Sequence, residues 1–419
     1  MISVSVITIG DELLIGQTLD TNSHFIAVKL NEAGFSITLK LSVGDSQADI
    51  LKALEIAEGS SEVILMTGGL GPTRDDITKK ALAVYFDTSL ILNEEALENV
   101  TVFFRKRGMS LSDINRMQAY LPANSIAIKN TLGTAPGIWI ERGNKVFISM
   151  PGVPHEMEHM VESEIIPGLK KKYLTPVLLH KSIMTAGIGE SLLSEMIREW
   201  EASLPLHMKL AYLPGFGQVK LRLSVHGSDL ATLNSEIALK VDELSRLAGK
   251  YIYGYDDLTL EQKIGEMLRQ NQLYLALAES CTGGNIAHMI TTVPGSSDYF
   301  LGGIVSYHNR IKVEYTGVLP ATLESQGAVS EETVREMASG IRRKFNSHVS
   351  LAISGIAGPA GGTEEKPVGL VWMAIEDPLG MVSRKFVFAK SRIVNIEYAT
   401  VAALTFLWQR LKQISGLEC

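Results

Sequence analysis

The residues best suited to chemistry lie in a turn between an apolar segment and a helix, in the last third of the chain. Residues 273–278 are apolar and typical of a buried strand, and they run into Glu-Ser-Cys-Thr-Gly-Gly at 279–284. Such a turn exposes a side chain and directs backbone N–H groups toward one point. Ser280 therefore fits a nucleophile, although a serine at such a position is by itself more often a helix cap.

A basic residue follows a second apolar segment of the same region. Residues 303–306 have the composition of a strand, and Tyr307 and Lys312 come shortly after it. A serine is a poor nucleophile until a base takes its proton. A lysine can act as this base only when burial or a neighbouring cation lowers its pKa from about 10.4 to about 7–8. By composition alone, Lys312 is more simply explained as a solvent-exposed lysine.

A third loop follows a third apolar segment and is rich in glycine. Residues 349–353 predict a buried strand, and Ser354, Gly355 and further glycines follow up to residue 362. Loops at the ends of neighbouring strands meet at one edge of a sheet, which is where ligands usually bind. The three loops can therefore converge on one site.

Cys281 is the competing nucleophile in this region. It is adjacent to Ser280, and a thiol is intrinsically more nucleophilic than a hydroxyl. Its alternative role is that of a small buried core residue. His308, beside Tyr307, fits a hydrogen-bonded polar residue better than a base.

A further glycine-rich loop lies near the N terminus. Residues 67–78 are Thr-Gly-Gly-Leu-Gly-Pro-Thr-Arg-Asp-Asp-Ile-Thr. Gly68 and Gly69 permit close approach of the backbone to a phosphate, and Asp75 and Asp76 suit a divalent cation that bridges it. Paired acidic residues at a helix start also complement the helix dipole, so a purely structural role stays open.

The elements that must position these residues fall into three segments. Strand and helix patterns alternate along residues 1–172, which predicts an α/β domain with a mostly parallel sheet and helices on both faces. Residues 173–256 predict a small α+β module that serves as a spacer or a dimerisation element. Residues 257–419 predict a second α/β domain, whose first helix Thr259 and Gln262 can cap.

The composition narrows the class of protein. The chain has 419 residues, of which 46% are hydrophobic and 20% charged, as in globular proteins. The formal net charge of -7 argues against a nucleic-acid binder. The two cysteines, Cys281 and Cys419, support neither a disulfide framework nor a zinc site. Without a signal peptide or an apolar run long enough to span a bilayer, we expect a cytoplasmic protein with no membrane partner.

Several motifs of the C-terminal domain resemble one known family when taken together. They are residues 278–284, 327–330, 355–359 and 366–369. The segment from about 259 to 415 is similar to the C-terminal domain of the CinA family. That domain is a nicotinamide-nucleotide amidase, which converts nicotinamide mononucleotide to nicotinic acid mononucleotide and ammonia.

The resemblance implies roles for individual residues. Ser280 is the nucleophile, Lys312 the base and Tyr307 an assisting residue, and the reaction needs no cofactor. The substrate-binding positions are Thr282, Gly283, Gly284, Ser354, Gly355 and Arg392. Ser354 stands where the family often has threonine and keeps the hydroxyl, and Arg392 fits the family's contact to the substrate phosphate.

Residues 1–170 resemble the molybdopterin-binding fold at the N terminus of CinA proteins, a three-layer domain. In some members this domain hydrolyses ADP-ribose to AMP and ribose 5-phosphate with metal assistance. The implied phosphate or metal contacts are Asp11, Asn22, Gly68, Gly69, Asp75 and Asp76. The resemblance further implies a divalent metal at Asp75 and Asp76, nucleotide substrates, and a homodimer.

Two alternatives to these hydrolase activities stay open. The family name derives from competence and damage induction, so the protein can be a scaffold without enzymatic activity. The N-terminal fold can also serve molybdopterin binding, because fold likeness alone does not decide function.

Overall fold

The apolar segments of the N-terminal third form a sheet whose central strands are buried along their length. The computed structural model describes residues 1–73, 75–388 and 390–416, so Arg74 and Cys419 lie outside the described residues. The strands of this third are β1 (Ser3–Ile9), β2 (Ser36–Val43), β3 (Val63–Thr67), β4 (Leu90–Leu92), β5 (Tyr120–Pro122), β6 (Ser125–Ile128), β7 (Gly137–Arg142) and β8 (Lys145–Met150). The helices are α1 (Asp11–Leu14), α2 (Thr21–Glu32), α3 (Gln47–Ser60), α4 (Thr78–Tyr85), α5 (Glu94–Lys106), α6 (Asp113–Arg116), α7 (Pro154–Met160) and α8 (Ile166–Lys172).

This six-stranded sheet has the order β2-β1-β3-β8-β7-β6. The first four strands are parallel. At one edge, β7 pairs antiparallel with β8, and β6 pairs antiparallel with β7. Ile50 and Leu54 of α3 pack on one face, and Ile26 and Leu30 of α2 pack on the other. The sheet between two helical layers confirms the predicted three-layer α/β domain.

The middle segment has the predicted α+β order. Its elements are β9 (Val177–Ala186), α9 (Glu190–Ala202), β10 (Met208–Gly215), β11 (Gln218–Gly227), α10 (Leu230–Ala248) and β12 (Ile252–Tyr255). The four strands form one sheet in the order β10-β11-β9-β12. Phe216 and Gly217 turn β10 into β11, where the Pro-Gly-Phe-Gly sequence predicts a turn.

The last segment builds a second sheet of mixed direction. Its strands are β13 (Leu275–Glu279), β14 (Phe300–Val305), β15 (Val349–Gly355), β16 (Leu370–Asp377) and β17 (Gly380–Val387). The helices are α11 (Leu260–Gln270), α12 (Asn285–Thr291), α13 (Asn309–Thr316), α14 (Pro320–Gln326), α15 (Glu331–Phe345) and α16 (Arg392–Ile414). The predicted cap of α11 is present, because Gln262 N–H donates to Thr259 Oγ1 and Thr259 N–H donates to Gln262 Oε1.

The strand order β14-β13-β15-β16-β17 explains how this sheet creates a site. Strands β14, β13 and β15 are neighbours and parallel, whereas β16 and β17 are antiparallel. The loops after the three parallel strands therefore emerge at the same edge. Buried apolar residues cover both faces of the sheet, with α15 on one face and α11, α12 and α16 on the other.

The chain divides into two compact units. The first unit comprises residues 1–179 and 226–233, and the second comprises residues 180–225 and 234–419. Within the described residues, no helix combines the length and apolar character that a bilayer crossing requires.

Candidate active site

The nucleophile predicted from the sequence lies at the end of β13 in the second unit. Ser280 follows the last strand residue directly and is 7% exposed. The chain then turns through Gly283 and Gly284, whose φ angles of +64° and +100° are in the left-handed region that favours glycine. Helix α12 begins immediately afterwards at Asn285.

Lys312 reaches Ser280 from the neighbouring loop. It lies on α13, which follows β14, and its Nζ is 3.0 Å from Ser280 Oγ. The same amine donates a hydrogen bond to the backbone carbonyl of Ser306. Lys312 is 1% exposed, and this burial lowers its pKa to about 8. The structure therefore brings the predicted nucleophile and base together and puts the amine in the range a general base needs.

Tyr307 and Arg392 form a second group at the site. Arg392 Nη2 donates to the hydroxyl of Tyr307 at 2.7 Å, and its Nη1 donates to the carbonyl of Gly358 at 2.7 Å. Both side chains are exposed. The hydrogen bond of Tyr307 therefore joins it to Arg392, the predicted phosphate contact, and not to the Ser280 and Lys312 pair.

Asn395, which the sequence analysis missed, joins the loop at Ala357 to the loop at Lys390. Its Nδ2 donates to the carbonyls of Ala357 and Lys390, and its Oδ1 accepts from Lys390 N–H. Asn395 is 1% exposed. An asparagine three positions after Arg392, between Val394 and Ile396, is the sequence signal that could have identified it.

The hydroxyls predicted to bind substrate already have acceptors in the protein. Ser354 Oγ donates to the carbonyl of Ala328 at 2.6 Å, and Thr282 Oγ1 donates to Glu279 Oε2 at 2.7 Å. Each oxygen can still accept a hydrogen bond from a ligand. Gly355 lies against Cys281, because a Cβ built on it would be 3.0 Å from the thiol sulfur.

The environment of Cys281 disfavours it as the nucleophile. The residue is 6% exposed, and burial raises the pKa of its thiol to about 12. The thiolate is the reactive form of cysteine, so a buried thiol with this pKa is inert at neutral pH. The side chain matches the alternative of a small buried core residue.

The turn also contains a buried carboxylate that the sequence analysis passed over. Glu279 is 2% exposed, and its carboxylate accepts hydrogen bonds from backbone N–H groups at the start of α12. Part of the backbone cradle predicted for an anion is therefore filled by the protein itself. The N–H groups of Cys281 and Thr282 face the Cys281 thiol and donate to no oxygen acceptor in the part of the chain that the structure describes.

The first unit has a small cavity at the carboxyl ends of its parallel strands. Its volume is about 120 Å³, and Thr8, Asp20, Asn22 and Thr67 contribute to its lining. Asn22 Nδ2 donates to Thr67 Oγ1 and to the carbonyl of Gly152. Its amide oxygen is buried and has no hydrogen-bond partner among the described residues. Of the residues predicted for this site, Asn22 is the one that lines the cavity.

The two predicted loop glycines make close backbone contacts. A Cβ on Gly68 would be 2.2 Å from the carbonyl oxygen of Ile9, and one on Gly69 would be 2.3 Å from Thr78 Oγ1. Both glycines also have φ in the left-handed region, at +112° and +66°. Any side chain at either position would displace the loop.

The acidic residues of the first unit are arranged differently from the predicted pair. Asp76 Oδ2 accepts from the backbone and the hydroxyl of Thr73, so this carboxylate orders its own loop. Asp75 instead lies near enough to Asp45 to repel its carboxylate. Within the described residues, no group of three or more His, Cys, Asp or Glu side chains is arranged to hold a metal ion. Metal ligation by Asp75 and Asp76 stays a prediction.

Asp45 is a further residue that the sequence analysis missed. Asp45 Oδ2 accepts from Asp11 N–H, and Asp11 Oδ1 accepts from Asp45 N–H. Burial, followed by repulsion from Asp11, Glu12 and Asp75, raises the pKa of Asp45. Its position two residues after β2, at the edge where the other parallel strands end, is the signal that could have identified it.

A CinA-like protein of Cytophaga hutchinsonii is 44% identical over 413 residues, which cover 99% of this chain and 99% of that protein. The chain belongs to the CinA family. A CinA-like protein of Flavobacterium psychrophilum is 43% identical, with 97% of this chain and 98% of that protein covered.

The CinA assignment extends along the whole chain. The family described as CinA C-terminal domain matches residues 257–411, and the damage-inducible protein CinA KH domain matches residues 180–254. The family described as probable molybdopterin binding domain matches residues 5–171. Among solved structures, the protein CinA from Thermoplasma acidophilum is 34% identical and covers 41% of this chain and 98% of its own, with a TM-score of 0.37. Membership confirms the family predicted from the sequence motifs.

Proposed function

We propose that the second unit is an amidohydrolase that deamidates nicotinamide mononucleotide to nicotinic acid mononucleotide and ammonia. The single observation that carries the proposal is the 3.0 Å contact between Lys312 Nζ and Ser280 Oγ in a buried site. With a pKa of about 8, roughly one lysine in ten is neutral at pH 7, against fewer than one in a thousand for an ordinary lysine. The neutral amine takes the serine proton as Oγ attacks the carboxamide carbon.

The remaining steps use the same groups. The tetrahedral oxyanion lies against the N–H groups of Cys281 and Thr282, which lack oxygen acceptors among the described residues. Protonated Lys312 gives its proton to the departing amine, so the C–N bond breaks and ammonia leaves. Lys312 then takes a proton from the water that attacks the acyl-serine carbon. It returns that proton to Ser280 Oγ as the C–Oγ bond breaks and the acid product leaves.

Arg392 accounts for the choice of a nucleotide over the free amide. Its guanidinium is exposed, and the Tyr307 hydroxyl and the Gly358 carbonyl fix its orientation. A fixed guanidinium suits recognition of a phosphate by two parallel hydrogen bonds. Free nicotinamide has no phosphate and would lose this contact.

The test is ammonia release by the purified full-length protein. We expect release from nicotinamide mononucleotide and little from free nicotinamide at the same concentration. Equal rates on the two would contradict the nucleotide assignment, and no release from either would refute the amidase and favour the scaffold alternative.

We propose a second activity for the first unit, the hydrolysis of ADP-ribose to AMP and ribose 5-phosphate. The cavity at the strand ends, with the unpaired Asn22 amide oxygen and the closely packed glycine loop, supports a site for a polar ligand. The raised pKa of Asp45, whose neighbour Glu12 lines the cavity, suits an acid or base. Full-length protein with ADP-ribose, assayed with several divalent metals and with EDTA, tests this; absence of AMP in every condition would refute it. Copurified pterin without hydrolysis would favour the molybdopterin alternative.

A further inference from the structure

The strongest unassigned feature of the molecule is the buried carboxylate directly before the proposed nucleophile. Glu279 Oε2 accepts hydrogen bonds from Thr282 Oγ1 at 2.7 Å and from the N–H groups of Gly284 and Ile286, each at 3.1 Å. Its Oε1 accepts from Ala287 N–H at 2.8 Å. All of these partners are donors, so the side chain acts only as an acceptor, as an ionised carboxylate does.

These contacts close the turn that carries Ser280. Glu279 is the last residue of β13, and its partners lie between three and eight residues further along the chain. The side chain therefore fastens the start of α12 back onto the end of the strand. Ser280, Cys281 and Thr282 lie between these anchored points, and their backbone has little freedom to move.

The carboxylate also divides the N–H groups of the turn into two sets. Those of Gly284, Ile286 and Ala287 are used by Glu279 and are unavailable to a ligand. Those of Cys281 and Thr282 face the Cys281 thiol and have no oxygen acceptor among the described residues, so they are the donors that a reacting carbonyl oxygen can engage. Ligand anions are thus kept from the end of α12, and the substrate oxygen is directed toward Ser280.

We propose that Glu279 is a positioning residue of the amidase reaction, which holds the Ser280 turn by occupying the N-terminal end of α12. This inference rests on the proposed function. Glu279 transfers no proton and makes no contact with Lys312 Nζ, whose oxygen partners are Ser280 and Ser306. Its effect reaches the reaction through the turn backbone alone.

The variant that tests this role is Glu279→Gln in the full-length protein. Glutamine keeps the size, but only one of its terminal atoms accepts, so its NH₂ group would face one of the N–H donors. The matched control is Asp377→Asn, because Asp377 is also 2% exposed and its carboxylate is also fully paired, with Arg410 and the N–H of Leu379. The control measures the cost of altering a buried carboxylate away from the site.

We expect Glu279→Gln to lower kcat by about 100-fold with little change in KM, a loss comparable to that of one oxyanion donor. The acid limb of the pH–rate profile should stay where it is in the wild type, because Lys312 is untouched. Asp377→Asn should lose thermal stability to a similar degree and keep its kcat. Wild-type kcat in Glu279→Gln, a loss confined to KM, or a displaced acid limb would each overturn the proposal.

A second readout separates this inference from the choice of substrate. A fluorophosphonate probe reacts by forming a bond from Ser280 Oγ to phosphorus with loss of fluoride, while Lys312 takes the proton. We expect mass spectrometry to show slower labelling of Ser280 in Glu279→Gln than in Asp377→Asn. If wild-type protein is labelled but releases no ammonia, the proposed substrate is wrong, and the labelling rates of the variants still test the role of Glu279. If wild-type protein is neither labelled nor active, both the amidase proposal and the role of Glu279 are overturned.

Thr282→Val provides an independent measure if Glu279→Gln does not fold. It removes one donor to Glu279 and keeps the shape of the side chain. We expect a smaller loss of kcat and of labelling rate, about tenfold. Wild-type rates in Thr282→Val would contradict the role assigned to Glu279.

Discussion

Each unit of this protein contains a lysine whose pKa burial lowers to about 8, and the two lysines have different neighbours. Lys312 in the second unit lies against the hydroxyl of Ser280. Lys79 in the first unit donates instead to the backbone carbonyls of Met117 and Gln118. A carbonyl has no proton to give, so these contacts of Lys79 offer its amine no group to deprotonate. A lowered pKa therefore indicates a base only where an acidic partner lies within reach.

The acidic residues extend this contrast between the units. In the second unit, Glu279 is paired with donors on all sides. In the first unit, Asp45 has like charges around it, and its pKa is raised. Hydrogen-bond donors thus stabilise the ionised Glu279 carboxylate, whereas the neighbours of Asp45 disfavour its ionised form.

The largest expected effect is that of Ser280→Ala. It should reduce ammonia release by about 10⁴-fold or more, because no other group supplies the nucleophile. Hydrolysis of ADP-ribose by the first unit should be unchanged in the same preparation. Cys281→Ala is the control and should retain the amidase activity; the reverse pattern would make the thiol the nucleophile.

The next largest effect separates the two lysines. Lys312→Met should lower kcat/KM by about 10²–10⁴-fold, the usual contribution of a general base. Lys79→Met should leave ammonia release unchanged, since its amine has no reacting partner. Comparable losses in both variants, measured in the same assay, would contradict the distinction drawn from their neighbours.

The pH dependence of the wild type provides a further check on Lys312. Because the base must be neutral, kcat/KM should rise with pH through about 8 and fall about tenfold per pH unit below it. Stability should follow the same titration. The pKa of Lys312 in the folded protein lies below the unfolded value of 10.5. The free energy of unfolding of the second unit should therefore increase by about 3 kcal/mol between pH 8 and 10.5. Lys312→Met should lack this gain in chemical unfolding experiments; a flat wild-type curve would refute the burial of the amine.

A smaller effect is expected for Arg392→Met. Loss of the guanidinium should raise the KM for nicotinamide mononucleotide by about tenfold, with a lesser change in kcat. Activity on free nicotinamide should not change, because that compound has no phosphate. A KM for the nucleotide equal to that of the wild type would remove Arg392 from the substrate contacts.

The smallest effect should come from Asp45→Asn. The raised pKa means that the fold disfavours the ionised carboxylate, so wild-type stability should rise as pH falls through that pKa. The asparagine variant should lack this dependence and should be more stable at pH 7, by less than about 1 kcal/mol because the group is partly solvated. Thermal unfolding at pH 7 and pH 4 measures both differences. Identical pH dependence in the two proteins would show that Asp45 is not under repulsion.

Much of the fold could be predicted from local patterns. The strand from Val63 to Thr67 and the helix cap at Thr259 with Gln262 depend on residues close in sequence, so local patterns were enough to predict them. The antiparallel strands β6 and β7 were not predicted, since their pairing depends on contacts that no local pattern records. Asp45 and Glu279 were missed for a related reason. Their importance comes from which groups surround them.

The sequence by itself determined the family, the α/β class and the loops that carry Ser280, Lys312 and the glycine motifs. Only the tertiary structure decided that Lys312 meets Ser280, that Tyr307 pairs with Arg392, and that Asp76 accepts hydrogen bonds from Thr73. The physical reason is that secondary structure follows from neighbouring residues. Burial, pKa and hydrogen-bond partnership instead depend on segments that folding brings together from distant parts of the chain.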